Sequence, residues 1–280
     1  MHESEIKSIE IDLLLEALFK RYGYDFREYT RSMLERRIDN FQNDSAIFSM
    51  PELLSRVLRE PTLFYNLISY FSINVTSLFR DPFFYAAFRK QVAPMLRTWP
   101  HIKLWDAGCA TGEEVYSLAI LLHEEGMFNR TTIYATDINA SALETAKMGI
   151  YPLKIIQHGS LNYIESGARA SFSDYYHAQY NAAKMDSNFS NNITFAKHNL
   201  TIDESFGEMQ AIVCRNVLIY FNTSLQNRIL KLFWESLEYG GFLCLGDKET
   251  IAHTEIEDKF ETVDSYAKIY KKKFPNTMKK

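Results

Sequence analysis

The apolar positions of this chain change period partway along it. Before about Val75 they recur at helical spacing. Ile6, Ile9, Leu13, Leu14, Ala17 and Leu18 line one face, and Arg21-Tyr22-Gly23 supplies a helix stop. A second helix is expected over Phe26–Phe41. Pro51 and Pro61 sit where two shorter helices would begin, because the first turn needs no N–H from proline. Beyond Pro82 short apolar runs alternate with helical ones. Strands are expected at Ile102–Ala107, Thr132–Thr136, Ile193–Ala196, Ala211–Cys214 and Phe242–Leu245, with helices over Glu114–Glu125, Ala140–Met148 and Leu225–Leu237. That alternation predicts an α/β fold, a mostly parallel sheet covered by helices on both faces. Gly240-Gly241 reads as the break after the last helix, and Tyr266–Lys273, apolar and basic by turns, as an edge strand.

The stretch Tyr151–Asn192, rich in Tyr, Ser and Asn, is too long for a plain connection and reads as an inserted subdomain. The expected domains are residues 1–75, helical, and 76–280, α/β, interrupted over about 151–192.

Composition narrows the picture without changing it. The 280 residues are 46% hydrophobic and 24% charged, enough apolar sequence for a real core. A net charge of -4 argues against non-specific binding to nucleic acid or an anionic membrane. Cys109, Cys214 and Cys244 are far apart and form no CxxC, which predicts reduced, buried thiols in a cytoplasmic protein and no metal site. The polar, acidic N-terminus does not read as a signal peptide, and no window is long and apolar enough to span a bilayer. A monomer is expected.

The strongest local signal is Leu104-Trp105-Asp106-Ala107-Gly108-Cys109-Ala110-Thr111-Gly112-Glu113-Glu114. An apolar strand ends in a turn of small residues and passes directly into an amphipathic helix. Glycines let the backbone approach a ligand, and the crevice beyond the carboxyl ends of parallel strands is where such folds bind cofactors. The spacing is not the dinucleotide GxGxxG, and an acidic pair at the helix start repels a pyrophosphate. A ligand with a cationic centre fits better, and S-adenosylmethionine carries both a sulfonium and an ammonium. Asp137, at the end of the next strand, either accepts the ribose hydroxyls of a nucleoside or caps the following helix. In His198-Asn199-Leu200 an amide and an apolar side chain could flank an adenine ring. A polar Arg215-Asn216 pair between apolar runs is costly unless paired or functional.

The segment around that pair, CRNVLIYF (Cys214–Phe221), strongly resembles the post-strand motif of the chemotaxis receptor methyltransferases, the CheR family. NVTSLFRD (Asn74–Asp81) resembles the family's N-x-T-x-F-F-R-D/E element, WDAGCATGEEVYS its glycine motif, YATDI its ribose strand and GGFLCLGDKE its closing motif. The motifs come in the family's order and cover nearly the whole chain. Leu78, Ala110, Val115 and Lys248 depart from it, standing where the family has Phe, Ser, Pro and Ser.

The resemblance implies a Rossmann-like methyltransferase fold with an all-helical N-terminal receptor-docking domain and a small inserted β-subdomain. It implies transfer of methyl from S-adenosyl-L-methionine to the γ-carboxylate of receptor glutamates, leaving S-adenosyl-L-homocysteine. The positions matching the family's cofactor contacts are Asn74, Thr76, Arg80, Gly108, Glu114, Asp137, Asn199, Leu200, Arg215 and Asn216, with Arg80 and Tyr220 nearest the chemistry. A glutamate is already ionised at neutral pH, so alignment rather than base catalysis is the task. The implied partner is the cytoplasmic domain of a methyl-accepting chemotaxis-type receptor. Arg27, Arg31 and Arg37 would offer its acidic helices a basic face, unless Glu28 and Glu35 make this an ordinary solvated helix with local ion pairs. In some members the insertion grips a receptor's C-terminal peptide by strand addition. A nucleic-acid or small-molecule methyltransferase is the first competing reading, and a non-catalytic cofactor-sensing scaffold the second. The first lacks a D/N-P-P-Y/F/W tetrapeptide after the fourth strand, and intact Arg80, Asp137 and Arg215-Asn216 argue against the second.

Overall fold

The structure is a computed structural model that describes residues 3–72, 76–205 and 207–275. The chain forms two compact units, Met1–Ile73 with Tyr220–Arg228, and Asn74–Ile219 with Ile229–Lys280.

The first unit is helical: α1 (Glu3–Tyr22), α2 (Arg31–Ser45), α3 (Met50–Arg59) and α4 (Pro61–Phe71). Apolar residues at helical spacing form its core, with Leu53 and Val57 of α3 and Phe64, Leu67, Ile68 and Phe71 of α4 all buried. Pro51 and Pro61 occupy first turns as expected, and Gly23 takes a positive φ of 76° beyond α1. The second helix begins later than its sequence pattern predicts. Residues 26–30 form a turn outside the helix because their backbone pairs sideways with distant chain: Thr30 N–H donates to Tyr220 O at 2.8 Å and Asn222 N–H to Glu28 O at 2.9 Å.

The second unit opens with α5 (Pro82–Ala87) and α6 (Ala93–Leu96), joined through a π-helical turn at Phe88–Val92. It continues as β1 (Ile102–Ala107), α7 (Glu113–Glu124), β2 (Thr131–Asp137), α8 (Ala140–Met148), β3 (Ile150–Pro152), α9 (Leu153–Glu165), β4 (Tyr176–Gln179), β5 (Ala182–Met185), β6 (Ile193–Lys197) and β7 (Met209–Cys214). It closes with α10 (Thr223–Ser236), whose first turns group with the helical unit, then β8 (Leu237–Leu245), β9 (Phe260–Asp264) and β10 (Ile269–Lys272).

The seven-stranded sheet runs β6-β2-β1-β7-β8-β10-β9. It is parallel from β6 through β8, with β10 and β9 antiparallel. Strand order reverses between β1 and β7, so their carboxyl ends open the crevice where such sheets bind ligands. Two expectations at the C-terminal end of the chain need correction. β8 runs straight through Gly240-Gly241 rather than starting after them, because Gly241 lies so close to Gln210 O that an added Cβ would sit 3.1 Å away. The strand read as an edge, β10, is interior, and the edge is β9, whose Glu261 and Asp264 mask its strand pattern.

The insertion carries a second, three-stranded antiparallel sheet, β3-β5-β4, and also a full helix, α9. An ionic clasp ties it to the core. Glu124, at the end of α7, accepts from Arg89, Tyr163 and Tyr175, and Glu125 pairs with Arg89, Arg97 and Arg169.

Candidate cofactor and methyl-transfer site

Three loops converge at the reversal point, one each from β1, from β7 and from the segment before α5. Their organiser is Arg215, at the end of β7, with only 1% of its side chain exposed. Its guanidinium donates to Glu114 Oε2 at 2.5 Å and to Asp81 Oδ2 at 2.7 Å, and lies 4.2 Å above the Phe84 ring. A third hydrogen bond reaches Arg80 O at 3.3 Å. Burial works against the Arg215 charge, but the adjacent Glu114, Tyr85 and Asp81 outweigh it and raise the guanidinium pKa. The polar pair that looked costly in sequence is therefore paired. Asp81 serves mainly Arg215, since Arg80 Nε stands 4.0 Å from the same carboxylate. Arg80 keeps 39% of its side chain exposed, and Thr76 is half-buried. Asn74 lies outside the described residues.

The turn carrying Arg215 and Asn216 is held by Glu249, which the sequence reading did not single out. Its buried carboxylate accepts four backbone N–H groups: Asn216 at 3.0 Å, Gly246 at 2.6 Å, Val217 at 2.8 Å and Leu218 at 2.7 Å. Asn216 has a φ of 62°, a left-handed conformation that such a grip sustains. Phe79, Asp81 and Ala110, in the two neighbouring loops, have φ of 52°, 57° and 47°. Non-glycine residues in that region are uncommon and cluster at functional sites.

The glycine turn packs closely against its neighbours. A Cβ on Gly108 would fall 2.5 Å from Val217 Cγ2, and one on Gly112 3.0 Å from the Ala146 backbone, so neither position admits a side chain. Asp137 ties this turn to β2, accepting Ala110 N–H at 2.9 Å and Asn139 N–H at 2.8 Å. Asn139 Oδ1, not Asp137, caps α8. The carboxylate is half-buried and keeps lone pairs for further donors. Asp106, at the end of β1, was also missed as a site residue. It is 1% exposed, and among the described residues neither carboxylate oxygen has a hydrogen-bond partner. Burial, followed by the charge of Glu114, pushes its pKa well up.

These features fit a cationic nucleoside cofactor. Asp81, Glu114 and Asp137 outnumber Arg80 and Arg215, and Asp106 is an acid without a hydrogen-bond partner among the described residues, whose charged form a neighbouring cation would favour. An ammonium and a sulfonium would balance that excess. Asn199 is committed locally: its side-chain oxygen accepts from Thr201 N–H at 3.0 Å and Oγ1 at 2.8 Å, while Leu200 is half-buried. Tyr220 belongs to the helical unit, where its carbonyl accepts from Thr30. The arginine face expected on α2 is largely neutralised. Arg27 precedes the helix and bonds Asp25 and Glu16, and Arg31 bonds Asp12, Glu35 and Ser8. The three cysteines are free and buried.

The sheet order and this acidic, glycine-lined crevice define an S-adenosylmethionine-dependent methyltransferase. Residues 74–269 match the family described as CheR methyltransferase, SAM binding domain, and residues 9–72 match CheR methyltransferase, all-alpha domain. The chain belongs to the CheR methyltransferase family. It is 48% identical over 264 residues to Cher3 of Pseudomonas putida, spanning 94% of this chain and 97% of that protein. A chemotaxis protein methyltransferase of Listeria monocytogenes is 30% identical over 231 residues, 82% of this chain and 85% of the relative. Chemotaxis protein methyltransferase 1 of Vibrio cholerae is 31% identical over 249 residues, 85% and 86% of the two chains.

Proposed function

We propose that this methyltransferase esterifies glutamate side chains on the cytoplasmic domain of a chemotaxis-type receptor, as a cytoplasmic enzyme of sensory adaptation. The observation that carries the reading is the Asp81–Arg215–Glu114 linkage. It occupies Asp81 and anchors the backbone of Arg80 at the mouth of an acidic crevice. The guanidinium of Arg80 then orients an incoming carboxylate.

When bound, S-adenosylmethionine supplies an electrophilic methyl group on a positively charged sulfur. The glutamate γ-oxygen forms the new C–O bond as the C–S bond breaks, and the sulfur keeps that electron pair. No proton moves, because the nucleophile is already ionised. The protein's task is alignment and exclusion of water. Asp106 and Glu114 hold the cofactor's ammonium, Asp137 accepts the ribose hydroxyls, and Asn199 and Leu200 border the adenine. Thr76 and Asn216 line the wall, the Gly108 backbone borders the ligand from a turn packed against Val217, and Asn74 belongs to the same set by motif. Tyr220 belongs to the set by motif alone. Arg80 acts by positioning, since a tighter grip would blunt the nucleophile.

Receptor docking falls to the helical unit, through surfaces other than the neutralised Arg27 and Arg31. The free edge of β4 suits strand addition by a receptor peptide. The test is incubation with methyl-labelled S-adenosylmethionine and receptor cytoplasmic fragments. A base-labile label on glutamate supports the reading; cofactor binding without transfer to any fragment overturns it.

A further inference from the structure

Gly159 lies in the interior of α9, where glycine costs about 1 kcal/mol relative to alanine. It is buried and its φ is not positive, so backbone conformation does not explain it. Space does. A Cβ there would sit 2.7 Å from Leu78 Cβ and 3.2 Å from Leu78 Cδ1. One turn further along α9, Asn162 Nδ2 donates to Leu78 O at 3.0 Å. The rings of Tyr163 and Phe172 meet Phe79 edge to face, with centroids 5.1 and 6.0 Å away. From α7, Ser117 Oγ accepts Phe79 N–H at 2.8 Å and donates to Glu113 O at 2.6 Å. Leu78 and Phe79 are thus gripped between α9 and the helix that carries Glu113 and Glu114. Arg80 and Asp81 follow directly, in a segment whose left-handed Phe79 and Asp81 need an outside hold.

We propose that α9 is the buttress that fixes the Arg80 loop for methyl transfer, with Gly159 and Asn162 as its positioning residues. The proposal rests on the role given above to Arg80. It assigns the inserted segment a part in the reaction geometry that is separate from any grip on a receptor peptide. Neither residue touches the cofactor or the acceptor. Each acts through the backbone of residues 78–79, and a displacement of about 1 Å at a reacting group costs up to about a hundredfold in rate.

The experiment compares Asn162→Ala, Asn162→Asp, Gly159→Ala and the double variant Gly159→Ala with Leu78→Ala, beside Arg80→Ala. The acceptor is a receptor fragment that the unsubstituted protein methylates. Three readouts are taken: kcat and KM, S-adenosylhomocysteine affinity by calorimetry, and amide hydrogen exchange over residues 77–81. Both Asn162 variants are expected to lose about tenfold or more in kcat with cofactor affinity within about twofold, Asp more than Ala because its carboxylate oxygen would face the Leu78 carbonyl oxygen and repel it. Exchange at Phe79 and Arg80 should quicken. Leu78→Ala should restore part of the rate lost by Gly159→Ala. In an Arg80→Ala background, Asn162→Ala should cost nothing further.

Unchanged kcat and unchanged exchange in both Asn162 variants would overturn the proposal, as would a full additive loss in the Arg80→Ala background. Normal transfer by Arg80→Ala would instead overturn the role of Arg80. Exchange at residues 77–81 would still decide whether α9 holds the loop.

Discussion

Glu114 and Arg215, 101 positions apart in the chain, are joined by a 2.5 Å hydrogen bond from the guanidinium to Glu114 Oε2. The bond links the start of the cofactor helix α7 to the end of β7, across the point where strand order reverses. Asp81 takes the other arm of the same guanidinium at 2.7 Å, so one buried cation holds together loops from three parts of the sequence.

Removing that cation should cost both stability and binding. Arg215→Ala leaves Glu114 without its counter-charge and Asp81 with only Arg80, 4.0 Å away, and breaking a buried pair in this way costs about 3–5 kcal/mol. Arg215→Lys should recover only part of the loss, since an ammonium cannot span two carboxylates as a planar fork does. Urea melts and S-adenosylhomocysteine calorimetry check this. Equal stability of Arg215→Ala and the parent would contradict it.

Glu249→Gln should lower stability by about 2–4 kcal/mol. The amide offers its N–H₂ to backbone donors that need an acceptor, and buried unsatisfied donors are expensive. Cofactor affinity should fall as well, because the Arg215-Asn216 turn loses its anchor. Glu249→Asp, which keeps the charge but shortens the reach, should lie between the two. The ordering is read by denaturant midpoints.

Arg80→Ala should abolish receptor methylation, by about a hundredfold or more in kcat, while part of the cofactor affinity survives. Single-turnover assays with labelled S-adenosylmethionine separate the two effects. Turnover at the parent rate would remove Arg80 from the mechanism.

Asp106 sets a pH dependence whose sign follows from its burial. Burial, and then Glu114, raise its folded-state pKa well above the value of about 3.9 it has in an unfolded chain. Between those two values the folded protein holds a proton that the unfolded chain has released. This group's contribution therefore makes stability fall as pH rises through that window and level off above it. Asp106→Asn removes the slope. The ligand-free variant should be more stable than the parent at pH 8, with the difference shrinking toward pH 4, while S-adenosylmethionine binds about tenfold more weakly. Thermal melts across that range, with calorimetry at neutral pH, test both halves.

Much of the secondary structure was legible because it depends on near neighbours. The helix over Ala140–Met148 and the strand Ile102–Ala107 match their periodic patterns residue for residue. The errors fall where distant chain intervenes. Residues 26–30 follow a helical pattern but pair their backbone with Tyr220 and Asn222, and β8 crosses two glycines because Gln210 O approaches too closely for a side chain. The site divides in the same way. Gly108, Gly112 and Asp137 announce themselves by type and spacing within one strand–turn–helix unit, and the ordered motifs name the family.

By itself, then, the sequence determined the periodic elements, the glycine turn and the family. The tertiary structure alone decided that Arg215 has two acidic partners, that Asp106 has none, that Glu249 collects four backbone donors, and that Gly159 makes room for Leu78. The physical reason is range. Helix and turn preferences are summed over a few adjacent residues, whereas a buried charge or a close packing contact is settled by whichever residues the fold brings within a few ångströms.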